Sequence, residues 1–116
     1  MTLSIYPVSA YITTTVRDIL SAYTTDGLTV LICRDLLMKA FKDGSKTVNP
    51  FFVAKDFGGA EKSVVDAIDY AEKAGLLDVR YEEDRRGRPV IIVGPTPETV
   101  KALEAAKREA MARFSR

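Results

Sequence analysis

The sequence predicts an α+β domain that is mostly helical, and three observations carry that expectation. Apolar residues recur at helical spacing between residues 12 and 71, the period turns strand-like after Gly75, and a last helical pattern opens at Thr96-Pro97. With 47% hydrophobic and 28% charged residues among 116, the composition is that of one globular domain over 1–116. A chain of this size buries roughly two thirds of its unfolded surface.

The elements follow in order. Ile12, Val16, Ile19, Leu20 and Tyr23 share helical spacing in a first helix over about 10–23, with threonines near its start. Thr24-Thr25-Asp26-Gly27 breaks it, and Leu28, Leu31, Ile32, Leu36 and Phe41 mark a second helix over about 28–43. Lys39 and Lys42 near its end, before Gly44, suit the negative pole of the helix dipole. Asn49 is an N-cap and Pro50 an N1 residue, because proline lacks the N–H that would be unpaired there. A third helix runs from there to Phe57, and Gly58-Gly59 ends it. A fourth, over about 60–74, carries Val64, Ile68 and Ala71 on one stripe, with Gly75 as its terminal cap. LLDVRYEE and PVIIVG are β-prone runs on either side of Asp84-Arg85-Arg86-Gly87-Arg88, which predicts an antiparallel two-stranded hairpin. Thr96, Pro97 and Glu98 then open a last helix, about 97–114.

Composition excludes several functions. There are 17 basic and 16 acidic residues and no histidine, and Cys33 is the lone cysteine. Ser-His-Asp and Cys-His catalysis, histidine metal sites and an internal disulfide therefore lack their parts, and no cofactor or metal is expected. Gly59-Ala60-Glu61-Lys62-Ser63 is not a P-loop: it lacks the glycine before lysine and follows a helix rather than a strand. Glu82, Glu83 and Asp84 do not converge on a cation, since neighbours in a strand point to opposite faces. Cys33, within an apolar helix, is expected to be a buried structural thiol. The sequence predicts no enzyme. Met1 to Pro7 lacks the pattern of a signal peptide, and no run nears the roughly 18 apolar residues of a membrane span, so a cytoplasmic protein with no membrane contact is expected.

Helix, short helix, tight turn, helix and hairpin is the order of a winged helix-turn-helix, in which the hairpin is the wing. The chain resembles the MarR type of regulator over about residues 28–100. Val53-Ala54, Phe57-Gly58, Val64, Ile68, Ala71 and Gly75-Leu76-Leu77 follow that family's pattern, with steps of 7, 4, 3 and 4 residues from Phe57 through Gly75. Asp84-Arg85-Arg86 matches the family's Asp-x-Arg in the wing, and Thr96 matches the threonine that opens its final helix. Two positions depart: Thr99 stands where glycine is usual, and Ala71 where leucine is. The chain is short for a full MarR protein, which points to a compact archaeal or viral winged-helix regulator.

The resemblance implies a helix-turn-helix over about 49–75, a wing over about 76–94, and terminal helices flanking the core. It implies that the fourth helix enters a DNA major groove, with Ala60, Glu61, Lys62, Ser63, Val65 and Asp66 at or near the contact surface and Tyr70 at its edge. It also implies that Arg86 reaches DNA and that Asp84 orients it. From the residues themselves, Arg85, Arg86 and Arg88 at a hairpin tip suit phosphate or minor-groove contact. The other reading of the same tip is a soluble turn whose arginines pair with Glu82, Glu83 and Asp84. Lys46 and Lys55, together with Lys42, Ser45 and Thr47, lie where phosphates would pass, or are ordinary surface residues.

The acidic fourth helix, with Glu61, Asp66, Asp69 and Glu72 against Lys62 and Lys73, opposes DNA. Its bland reading is a solvated helix with Lys62–Asp66 and Asp69–Lys73 pairs. Ile12, Val16, Ile19, Leu20, Val100, Leu103, Ala110 and Phe114 form stripes on the terminal helices. These are expected to meet across the twofold of a homodimer, the other arrangement being that they lie on their own domain. The functional expectation is sequence-specific double-stranded DNA binding by a dimeric transcriptional regulator. The alternative is a protein-interaction module that docks a partner through the acidic helix.

Overall fold

Side chains that satisfy orphan backbone groups open three of the helices. The computed structural model describes the backbone of residues 6–114 and the side chains of 12–113. Within them lie α1 (Tyr6–Leu20), α2 (Gly27–Asp43), β1 (Lys46–Val48), α3 (Pro50–Phe57), α4 (Glu61–Lys73), β2 (Leu77–Glu83), β3 (Pro89–Pro95) and α5 (Pro97–Phe114). Asp26 caps α2: its carboxylate accepts from the Thr29 N–H at 2.9 Å and the Thr29 hydroxyl at 2.8 Å. Those bonds hold the Asp26 carboxyl below its ordinary pKa, the Thr29 backbone bond being the larger cause. Asn49 caps α3 as expected, accepting from the Phe51 N–H at 3.0 Å, with Pro50 following.

The two helices of the expected helix-turn-helix both end on a left-handed glycine. Gly58 (φ 66°) ends α3, with the Gly59 N–H donating to Ala54 O at 3.1 Å. Gly75 (φ 74°) ends α4, with the Gly75 N–H on Glu72 O and the Leu76 N–H on Ala71 O. Both are closures that a residue with a Cβ adopts only at a cost. At the start of α5 the Thr96 hydroxyl donates to Gly75 O at 2.6 Å and accepts from the Thr99 N–H at 3.2 Å. Thr99, buried at 3% exposure, places its own hydroxyl 2.8 Å from that of Thr96. The Thr99 hydroxyl also donates to Gly75 O at 3.3 Å, which adds a polar tie between α5 and the end of α4.

The sheet has three antiparallel strands in the order β1-β3-β2, so the expected two-stranded hairpin is corrected by one strand. β1 pairs Lys46 with Val93 and Val48 with Ile91, while β2 pairs Val79 with Val93 and Tyr81 with Ile91. Three residues are too few to show an alternating pattern; β1 exists because β3 offers it a free edge. The core lies where α2 crosses α4 and the sheet: Ile32, Leu36, Leu37, Val64, Ile68, Leu76, Leu77 and Val93 are all 1% exposed or less.

α1 begins at Tyr6 rather than near residue 10 and ends at Leu20 rather than Tyr23. Pro7 fits the first turn of a helix, and beyond Leu20 the N–H groups of Tyr23 and Thr24 both fall back on its carbonyl. The terminal helices also differ from the expected dimer interface. Ile12, Val16, Leu20, Leu103 and Ala110 are buried within one chain, where α1 packs against α5 and α2; Ile19 and Val100 are half-buried. Ala106 and Ala110 on α5 are small enough to let α1 approach, so these stripes lie on their own domain rather than on a free surface. Phe114, the remaining residue of that set, has its side chain outside the described ones. With α1 and α5 paired, the molecule measures 53 × 28 × 28 Å.

No helix among the described residues is long and apolar enough to cross a membrane. Leu31, Met38 and Phe41 remain exposed on the outer side of α2. Cys33 lies fully buried between α2 and α4, its thiol donating to Ala67 O at 3.2 Å. Burial pushes that thiol up to about 12, which leaves it protonated and inert at neutral pH.

Candidate nucleic-acid interface

The hairpin between β2 and β3 is organised by one carboxylate. Asp84 Oδ1 accepts from the backbone N–H groups of Arg86 at 2.8 Å and Arg88 at 2.9 Å. The Asp84 N–H donates to Arg88 O at 2.9 Å, and the Gly87 N–H donates to Asp84 O at 3.0 Å. Gly87 sits at φ 74°, the left-handed position with which a turn of this kind rejoins the strand. The aspartate thus holds the main chain of the tip, and its oxygen is engaged by amides rather than by guanidinium groups.

The consequence is electrostatic. The ion pairs among the described residues are Asp35–Lys39, Asp69–Lys73, Arg80–Glu82 and Glu109–Arg113. None involves Arg85, Arg86 or Arg88, and all three are exposed. The three arginines form no ion pair with Glu82, Glu83 or Asp84: Asp84 serves the backbone, and Glu82 turns to Arg80 at 3.6 Å. Arg85, Arg86 and Arg88 are exposed within four residues of the tip, and a guanidinium group can hold a phosphate bidentately. Tyr81, 67% exposed, extends the same hairpin beyond the core.

α4 presents the opposite sign. Its buried stripe is Val64, Ala67, Ile68 and Ala71, which places Glu61, Lys62, Val65, Asp66, Asp69, Glu72 and Lys73 on the solvent side. All four acids of the helix lie on this exposed arc. Asp69 holds Lys73 at 3.0 Å, and this hydrogen bond, with the carboxylate charge, raises the Lys73 pKa. The expected Lys62–Asp66 pair does not form, so Lys62 stands exposed on the first turn without an ion pair. Ser63 is half-buried beside Gly59 and does not project with it.

The lysines are dispersed. Lys55 on α3 lies over the Phe51 ring, 4.6 Å from its centroid, a cation–π contact. Lys46 pairs with Val93 on the far edge of the sheet, four residues along β3 from Pro89 and hence ~14 Å from the base of the tip. The structure gathers Arg85, Arg86 and Arg88 and does not add Lys46 to them.

Two exposed features are new to the structure. Phe51 and Phe52 stack edge to face at 5.6 Å and are 47% and 61% exposed. Adjacent aromatics on a helix lie about 100° apart, so the Phe-Phe pair in the sequence was a sign that one of them would miss the core. Tyr81 shares the strand face of Leu77 and Val79, and alternation gives its face but not how far the strand runs past the core. Compared with models of protein families, with curated proteins and with solved structures, the chain matches none.

Proposed function

We propose that this protein is a winged helix-turn-helix protein of the transcription-regulator kind that binds double-stranded DNA and performs no catalysis. The order α2-β1-α3-α4-β2-β3, with β3 central in the sheet and a glycine turn between α3 and α4, supports the winged-helix assignment. The observation that carries DNA binding is the wing tip: Arg85, Arg86 and Arg88 are exposed and free of ion pairs because Asp84 is bound to backbone amides. The cluster is complete within one chain, so the reading needs no second copy.

The test is anisotropy of a labelled random-sequence duplex titrated with the protein from about 50 to 200 mM salt. Phosphate-driven binding gives log affinity falling linearly with log salt. Arg86→Ala weakens it with folding intact; an unchanged affinity removes the wing from the reading. A second reading has an observation of its own, the acid-rich exposed arc of α4, which suits a basic protein partner. In that case a Lys-rich peptide binds the wild type, and Asp66→Lys with Asp69→Lys abolishes the complex.

A further inference from the structure

The wing and α4 oppose each other in sign, which bears on how a duplex would be held. We infer that the wing tip alone carries the contact with DNA and that α4 stays outside the major groove, making the protein a sequence-tolerant duplex binder. The inference rests on the DNA-binding reading above.

The argument is one of distance and charge. A helix with its side chains is about 10–12 Å across, and the major groove is about 12 Å wide. An inserted α4 would therefore hold its whole exposed arc within about one Debye length, ~8–10 Å, of both phosphate rows. That arc sets Glu61, Asp66, Asp69 and Glu72 against Lys62 and Lys73, and with Asp69 and Lys73 paired to each other three acids face one lysine. Lys62 remains as the single unpaired cation on the inserted surface. Ser63, the polar neighbour that would share base readout, is half-buried at the turn.

At the wing tip the balance is even rather than negative, with Arg85, Arg86 and Arg88 beside Glu82, Glu83 and Asp84. Three unpaired arginines stand on a tip whose main chain is fixed by four hydrogen bonds about Asp84, so no acid must be displaced before phosphate binds. Three phosphate contacts give a salt slope of about −2.7, or about 40-fold weaker binding between 50 and 200 mM salt. Contacts to phosphate carry no base information, and the loss of major-groove readout leaves little discrimination between sequences.

The test uses two labelled duplexes of the same sequence, one of them carrying bulky glucosylated groups at the 5-position of its cytosines to fill the major groove. The expected result is binding to both within about twofold, with the same salt slope. Lys62→Ala and Val65→Ala leave the affinity unchanged, and Arg85→Ala, Arg86→Ala and Arg88→Ala each lower the slope by about 0.9. All five positions are exposed, and circular dichroism confirms that each variant folds. A tenfold or greater loss on the filled duplex, or a comparable loss in Lys62→Ala, places α4 in the groove and overturns the inference while DNA binding stands. No binding to either duplex at 50 mM salt overturns the DNA-binding reading itself.

Discussion

The tip of the β2–β3 hairpin and the exposed arc of α4 are both charged and open to water, yet they differ in what their acids do. In the hairpin, Asp84 accepts from main-chain amides and leaves neighbouring arginines unpaired. On α4, Asp69 takes Lys73 at 3.0 Å, while Glu61, Asp66 and Glu72 point to solvent. Charge counted along the sequence makes α4 acidic and the tip even, but it does not say which cations are left unpaired. What separates them is hydrogen bonding: a carboxylate engaged by the backbone no longer competes for its neighbours' cations.

The largest expected effect separates the two sides of α4. Ile68→Ala removes a buried side chain at the α2–α4 contact and costs about 2–5 kcal/mol in urea unfolding. Val65→Ala, on the exposed arc of the same helix, changes stability by no more than about 0.5 kcal/mol. Equal losses at the two positions would break the division of α4 into a structural face and a solvated one.

Next comes the wing. On the proposed DNA-binding reading, the triple variant Arg85→Ala, Arg86→Ala, Arg88→Ala loses affinity for duplex at least tenfold at about 50 mM salt, read by anisotropy, and its urea midpoint stays where the wild type's is. Asp84→Ala has a smaller effect, a several-fold loss of affinity, because the arginines remain while the turn that presents them loses its acceptor. Asp84→Asn restores most of the affinity, since an amide oxygen accepts the same N–H groups; failure of that rescue would mean the charge of Asp84, not its geometry, matters.

The smallest effect is the Asp69–Lys73 pair. The Lys73 pKa is raised in the folded state, so the pair's contribution is fully present below the unfolded lysine value of about 10.4 and is lost as pH rises through the higher folded one. Asp69→Asn lowers the melting temperature slightly at neutral pH, and the difference from wild type vanishes at alkaline pH. Both side chains are more than half exposed, so solvent screening keeps the shift small.

Element ends were legible wherever one residue type has one local use. Asn49 with Pro50, Gly58, Gly75 and Thr96 with Pro97 each mark a boundary by capping or by a left-handed backbone, and the structure uses each in that way. The arginine cluster was legible as a cluster; its freedom from ion pairs was not, since three nearby acids were available to neutralise it. The Lys62–Asp66 pair shows the opposite failure: the (i, i+4) spacing permits a bond that the side chains do not make. Phe51, Phe52 and Tyr81 carry large aromatic rings, and the extent of the core leaves them exposed.

The sequence by itself determined the five helices, the hairpin and the signs of the charges, because capping, turn chemistry and periodicity act over a few residues. Tertiary structure alone decided that Lys46–Val48 becomes a strand, since its partner β3 lies more than 40 residues away. It also decided that α1 and α5 cover each other within one chain, because a hydrophobic stripe specifies that it must be buried and not against what. The role of Asp84 belongs to the same class: its oxygen is assigned to the Arg86 and Arg88 amides, rather than to a neighbouring guanidinium group, only when the turn around it has closed.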